Sequence, residues 1–392
     1  MSTREGMEIA FAAAEAAALC RPEVIAAYPI TPNTHIPEHL SDIVADGRLD
    51  AEFICVESEH SALSACCGAS ATGARVFTAT SSQGLLFMGE VMPIVSAMRL
   101  PVVMAIGNRA LSGPINIWND HSDIMSQRDT GWISLFAANG QEVIDMIIQA
   151  FKIAEHPKVM LPVNINLDGF QLTHVVEPML FPDQKEVDRF LPDYTPFATL
   201  HPDKIVSMGT LGMPDIFNEV MKAKDTALIN AQPIISEVWS EWERLFGRPY
   251  EPVFSYRTED AEVLLVTMGS LSETAEAAID ALRDHHVPVG LLKLRLWRPF
   301  PRKEFTAAAQ GARVLAVMDR AVSFGGVSGP VGAEVRTCFY GDPTPPVIVN
   351  EIIGLGGRDV TIEDFMSIIE KARAMNTQPP EGYEIYGVRG SS

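Results

Sequence analysis

Cysteine is scarce in this sequence. Five residues, Cys20, Cys55, Cys66, Cys67 and Cys338, are scattered over 392 positions, and none forms the C-x-x-C or Cys/His spacing that holds zinc or an iron–sulfur cluster. An electron-transfer reaction involving this chain would therefore need its cluster on another subunit, and an odd number of thiols in apolar contexts is expected to be reduced and buried. Positive charge is also short. Thirty Lys and Arg stand against 50 Asp and Glu, a formal net charge of -20, which repels phosphates and argues against nucleic acid as a partner. The acidity is expected to form a solvated surface. No run reaches the roughly 18 to 20 unbroken apolar residues of a membrane span, so no membrane partner is expected. Met1 to Met7 carries both charges and lacks the basic start, apolar run and cleavage site of a secretory signal, so a cytoplasmic location is expected.

What is present is the material of an ordinary globular protein. Hydrophobic residues make up 47%, and a chain this long exceeds what one core usually organises, so two domains are expected. Residues 6 to 21 read as an alanine-rich helix, Val24 to Tyr28 as a short strand, and Thr31-Pro32 as a helix start with Thr31 as N-cap. Strand-like runs recur at Phe53 to Val56, Val76 to Ala79, Pro101 to Ile106 and Val159 to Ile165, separated by helix-length segments. This rhythm predicts an α/β fold with a parallel sheet covered on both faces, and ligands at the carboxyl ends of its strands.

Leu172 to Pro202 reads as irregular, proline-containing chain, and Ala223 to Leu245 as one or two amphipathic helices ending at Gly247-Arg248-Pro249. A second, smaller β/α series follows from about Tyr256 to about Arg373. The tail after Met375 is expected to pack loosely.

Three loops attract attention. Val56-Glu57-Ser58-Glu59-His60-Ser61-Ala62 passes from strand to helix, so the Glu59 carboxylate points to the ligand edge; complementing the helix dipole is its other reading. Thr78-Ala79-Thr80-Ser81-Ser82-Gln83-Gly84 offers backbone and hydroxyl donors to a ligand, or else an N-cap cluster. Gly107 to Asp123 carries Arg109, suited to gripping a carboxylate, or else simply solvated. Within it, Asn119, Asp120, His121 and Asp123 follow no metal-ligand spacing, and no metal is expected in this chain.

Tyr28-Pro29-Ile30-Thr31-Pro32, these three loops, Leu167-Asp168-Gly169-Phe170 and Arg295-Leu296-Trp297-Arg298-Pro299-Phe300-Pro301 together resemble the α subunit of the pyruvate:ferredoxin oxidoreductase family. The resemblance spans nearly the whole chain. It implies a thiamine-diphosphate pyrimidine-binding domain over residues 1–230, a helical connector at 231–255, a transketolase C-terminal-like α/β domain at 256–375 and a tail at 376–392. Glu59 then contacts the cofactor's aminopyrimidine ring and exchanges a proton with it, Thr80 and Ser82 also bind the cofactor, and Thr31 and Arg109 meet the substrate.

The Gly-Asp-Gly motif that holds diphosphate and Mg²⁺ in thiamine enzymes is missing; Gly341-Asp342-Pro343 is the nearest string. The resemblance thus implies half a site. A β subunit supplies diphosphate, Mg²⁺ and the nearest 4Fe-4S cluster, with a γ subunit, a ferredoxin-like δ subunit and ferredoxin as further partners and coenzyme A as co-substrate. The Ser112 to Asp123 loop resembles the pyruvate branch of the family rather than its 2-oxoglutarate or branched-chain branches, which implies pyruvate as substrate, with 2-oxobutyrate as a minor one. Another small 2-oxoacid, half of a non-oxidative thiamine-diphosphate decarboxylase and a catalytically idle scaffold are the rival readings.

Overall fold

A computed structural model describes residues 3–203, 205–375 and 381–390. The first half runs β1 (Thr3–Glu8), α1 (Ile9–Leu19), β2 (Val24–Ala27), α2 (His35–Ala45), β3 (Glu52–Cys55), α3 (Glu59–Ala71), β4 (Val76–Thr80), α4 (Ser82–Met88), α5 (Met92–Ala97), β5 (Val102–Asn108), α6 (Ser122–Gln127), β6 (Ile133–Phe136), α7 (Gly140–Glu155), β7 (Val163–Asp168), β8 (Val176–Phe181) and α8 (Gln184–Phe190). The second runs α9 (Phe217–Phe246), β9 (Val253–Tyr256), β10 (Val263–Met268), α10 (Leu271–Asp284), β11 (Val289–Leu294), β12 (Leu296–Arg298), α11 (Arg302–Ala308), β13 (Val314–Asp319), α12 (Pro330–Cys338), β14 (Val347–Ile352), α13 (Ile362–Ala374) and β15 (Glu384–Ile385).

The expected α/β architecture is present. One sheet has strand order β12-β6-β7-β5-β4-β2-β3, the other β15-β14-β13-β10-β11-β9. All pairings in the first are parallel except β12 with β6, and all in the second except β9 with β11. The central strands are buried along their whole length, because helices cover both faces of a parallel sheet and leave no solvated side to alternate toward. Helix α1 is built mostly of buried alanine, a residue that forms helix without side-chain entropy loss and lets α2 and α7 pack closely.

Several elements differ from expectation. The first helix starts at Ile9, and residues 3–8 form a strand antiparallel to β8. The segment expected to be irregular holds β8 and α8; Pro178 is tolerated because β8 lies at the edge of a two-stranded sheet. Helix α2 begins at His35, not at Thr31-Pro32, which instead forms a turn with a cis peptide in which the Asn33 amide donates to the Ile30 carbonyl. The connector is a single 30-residue helix, about 45 Å long at 1.5 Å per residue. It ends where Gly247, at φ 72°, turns its N–H back to Glu243. Part of the tail is paired: β15 adds to the second sheet, while residues 376–380 and 391–392 lie outside the described residues. Cys20, Cys66 and Cys338 are buried as expected, but Cys55 is exposed.

The two sheets share one core. Leu63, Met88 and Met104 belong to the same apolar cluster as Leu264, Leu294 and Trp297. The run Arg295 to Pro301 crosses between them: β12 pairs with β6, and Arg295 donates two hydrogen bonds, at 3.1 and 2.8 Å, to Glu142 of α7. Burial alone would raise the Glu142 carboxyl, but Arg295 and Lys293 hold it below the usual carboxylate range.

Candidate active site

The loops that follow β2, β3, β4, β5 and β7 emerge at the carboxyl end of the first sheet, and those that follow β10, β13 and β14 at the carboxyl end of the second. The two sets meet. Ser270 after β10 donates to Asp168 at the end of β7, Arg320 after β13 does the same, and Asn116 in the loop after β5 donates to the Gly356 carbonyl beyond β14. Strand carboxyl ends are where parallel sheets bind ligands, so this seam is the natural site.

Glu59 is the first residue of α3, set there by Ser58, whose hydroxyl accepts from the Ser61 amide as N-cap. It is 8% exposed. Among the described residues its carboxylate has neither a hydrogen bond nor an ion pair. A Cβ placed on Gly84 would come 2.6 Å from both Glu59 Oε1 and Thr80 Oγ1, so carboxylate and hydroxyl converge on a glycine that alone fits between them. Thr80 Oγ1 is buried without a hydrogen-bond partner, as is Ser81 Oγ.

The neighbouring oxygens continue the pattern. Asn33 Nδ2 donates to the Thr80 and Ala105 carbonyls, bridging the ends of β4 and β5, while its Oδ1 has no partner. A Cβ on Gly107 would meet Asn33 Oδ1 at 3.1 Å and Ser81 Oγ at 3.2 Å, which places these two orphaned atoms side by side. Asn108 Oδ1 and Asn119 Oδ1 are orphaned as well. A buried polar atom without a partner costs free energy unless a ligand satisfies it, and five of the thirteen such atoms among the described residues fall in these adjoining loops. Ser81 lies within the hydroxyl-bearing loop already singled out in the sequence, whereas Asn33, directly after Thr31-Pro32, had no signal of its own.

Arg109 is 9% exposed. Its Nε donates to the Asn116 carbonyl and its Nη1 to the Thr31 carbonyl, at 3.0 and 2.9 Å, leaving Nη2 without a partner among the described residues. Burial lowers its pKa and the nearby Asp123 charge opposes that shift. Thr31 and Arg109 are thus brought together, with the exposed Thr31 engaged through its main chain. Ser82 is buried with its hydroxyl committed to the Ala110 carbonyl at 2.8 Å and its N–H to Asp123 at 3.0 Å. His60 sits at the rim, 3.5 Å from Glu90 and tilted against Phe87.

The Asn119 to Asp123 cluster is not arranged as a metal centre. Its groups are turned to separate protein partners: His121 Nε2 lies 2.7 Å from Asp168, Asp120 accepts from Ser122 and Gly356, and Asp123 accepts from main-chain amides. Among the described residues, Glu8, His35 and His174 alone group their ligand atoms closely. There His35 is already held by Glu8 at 2.5 Å and His174 by Thr173 at 2.7 Å. Gly341-Asp342 forms an exposed turn before β14, where Asp342 accepts from the Thr344 amide. That turn lies at the amino end of the sheet, so the residues present do not fit a diphosphate and Mg²⁺ site, whereas the open carboxylate and orphaned hydroxyls do fit an aminopyrimidine ring.

Comparison with known proteins adds an independent line. A family described as "Pyruvate flavodoxin/ferredoxin oxidoreductase, thiamine diP-bdg" matches residues 15–239, and one described as "Pyruvate:ferredoxin oxidoreductase core domain II" matches residues 261–365. Pyruvate synthase subunit PorA of Pyrococcus furiosus is 48% identical over 376 residues, 95% of each chain. Ketoisovalerate oxidoreductase subunit VorA of Pyrococcus horikoshii is 42% identical, over 92% of this chain and 91% of its own. Among solved structures, 2-oxoglutarate:ferredoxin oxidoreductase from Magnetococcus marinus, with 2-oxoglutarate, coenzyme A and succinyl-CoA bound, superposes with a TM-score of 0.72 at 18% identity. That match covers 94% of this chain and 65% of the other, and at such identity it speaks for the fold alone.

Proposed function

The chain belongs to the pyruvate flavodoxin/ferredoxin oxidoreductase family, and from that premise we propose that it is the α subunit of a pyruvate:ferredoxin oxidoreductase, with Glu59 as its cofactor-activating residue. The observation that carries this reading is the Glu59 carboxylate itself, buried and, among the described residues, unpaired beside an orphaned Thr80 hydroxyl.

Thiamine diphosphate, when bound, supplies an aminopyrimidine ring and a thiazolium whose C2 position reacts with the carbonyl of a 2-oxoacid. Glu59 holds a proton against the ring nitrogen and passes it back, which general acid–base groups do best when kept from water. Thr80 adds a hydroxyl beside the same ring. Ser82 contributes through the loop it fixes, its own hydroxyl being taken. Arg109 presents Nη2 to the substrate carboxylate, a charge-assisted contact, and Thr31 flanks it. Gly84 keeps the approach to Glu59 open.

The diphosphate, Mg²⁺ and 4Fe-4S clusters belong in this reading to a β subunit, with γ and δ subunits, ferredoxin and coenzyme A completing the reaction in the cytoplasm. Among the described residues no helix is long and apolar enough to cross a membrane. Residues 1–230, 231–255, 256–375 and 376–392 are proposed as pyrimidine-binding domain, connector, transketolase C-terminal-like domain and tail. The 42% identity to a ketoisovalerate oxidoreductase subunit favours one second reading, a branched-chain 2-oxoacid as substrate.

Purifying the native complex and following ferredoxin reduction separates these. Pyruvate with coenzyme A is expected to give the highest kcat/KM. A preference for 2-oxoisovalerate would move the assignment to the second reading. Carbon dioxide release by a complex without iron, independent of coenzyme A and ferredoxin, would replace it with a non-oxidative decarboxylase.

A further inference from the structure

Asp123 lies in the first turn of α6 and is fully buried. One of its oxygens, Oδ2, accepts from the main-chain N–H of Ser82 and from that of Arg109, both at 3.0 Å. The other accepts from Asn108 Nδ2 at 3.1 Å and from the Ile124 N–H at 2.7 Å. Ser82 belongs to the loop that carries Thr80 and Ser81, and Arg109 opens the loop that reaches Thr31. We propose that Asp123 is a positioning residue that sets the cofactor-side loop and the substrate-side arginine together, through one carboxylate; this rests on the functional reading above.

A helix cap does not account for it. Only the Ile124 amide comes from α6 itself; the other three donors come from β5, its following loop and the start of α4. Ser82 also sits at φ 47°, a left-handed conformation that costs a non-glycine residue about 1 kcal/mol or more and persists only when its surroundings enforce it. Asp123 holds that residue's N–H, and the Ala110 carbonyl, one residue beyond Arg109, holds its hydroxyl. The two loops are therefore tied twice at the same point. Among the described residues no cation forms an ion pair with the carboxylate: burial pushes its pKa up to about 6, and the amides of Arg109, Ser82 and Ile124 with Asn108 hold it down. A neutral side chain would meet fewer of these four donors, which is why a carboxylate stands here.

The test uses the whole complex, with Asp123→Ala and Asp123→Asn beside Arg109→Ala as reference. KM for the 2-oxoacid is read from initial rates, and Kd for thiamine diphosphate from calorimetry on complex stripped of cofactor. Asp123→Ala is expected to raise both by about tenfold or more, the usual effect of losing hydrogen bonds to a charged group. Asp123→Asn, which still offers one oxygen, is expected to recover part of each. If Asp123→Ala does not assemble, Asp123→Asn decides, with both constants raised about threefold or more. A change in only one constant would overturn the coupling, and so would two unchanged constants with fewer active complexes, the mark of a merely structural role. An unchanged KM in Arg109→Ala would instead sink the functional reading on which the coupling rests.

Discussion

Glu59 and Asp168 are both buried carboxylates at the carboxyl edge of the same parallel sheet, 8% and 1% exposed, and they are treated in opposite ways. Asp168 is saturated: His121, the Ser270 amide and hydroxyl, and Arg320 all reach it, at 2.5 to 3.1 Å. Burial would raise its carboxyl, yet Arg320 and His121 hold it well below the usual range. Glu59 has no such partner among the described residues. The difference teaches that burial and position do not make a site. Asp168 has its bonds within the chain and joins the two sheets, whereas the Glu59 carboxylate is left open among the described residues, as the proposed cofactor role requires.

The contrast breaks most readily at Asp168. Asp168→Asn leaves Arg320 buried without its counter-charge, and a change of this kind costs about 3 to 5 kcal/mol; chemical denaturation of the purified subunit measures it. A cost below about 1 kcal/mol would show that the seam does not depend on this carboxylate. Because the folded pKa is depressed, the stabilisation is complete above the unfolded value near 3.9 and is lost as pH falls below it. The gap between parent and variant is therefore expected to narrow as pH falls from 5 toward 3.

Arg109→Ala comes next. Losing one charge-assisted contact of about 1.5 to 3 kcal/mol raises KM for the 2-oxoacid about 10- to 100-fold. An unchanged KM would remove its carboxylate role.

The smallest expected effect is the one that separates the two carboxylates. Glu59→Gln removes a charge that nothing among the described residues pairs, so unfolding free energy is expected to stay within about 1 kcal/mol of the parent or to rise, as at sites where function is kept at the expense of stability. A loss as large as that at Asp168 would make Glu59 a structural residue.

How much of this was legible in the sequence follows from where each signal resides. Strands buried on both faces announce themselves as apolar runs, so β4 and β5 were placed close to their true ends. Strand β12 has three residues and exists because β6 lies beside it, and no local pattern encodes that. β1 is mostly polar and pairs across more than 160 residues with β8. Glu59 stood out at a strand-to-helix passage, where complementing the helix dipole reads equally well, and its role at the cofactor ring came only from the family resemblance of the surrounding motifs. Thr31 was misread as a cap because Thr-Pro is equally good turn chemistry. The node at Asp168 was beyond reach, since Arg320 arrives from 152 residues away. Asp123 was visible as an acid in a polar loop, but its donors are main-chain amides, which no side-chain pattern reveals.

The central claim is that Glu59 is the proton-exchanging group of the site and not a member of its scaffold. The most direct measurement is hydrogen–deuterium exchange at C2 of thiamine diphosphate bound to the assembled complex, parent against Glu59→Gln, with cofactor Kd and thermal stability determined on the same samples. The account predicts that exchange slows by about 10² to 10⁴, the range of general acid–base assistance, while Kd and stability remain close to the parent. Exchange at the parent rate in a complex that has bound its cofactor would contradict it.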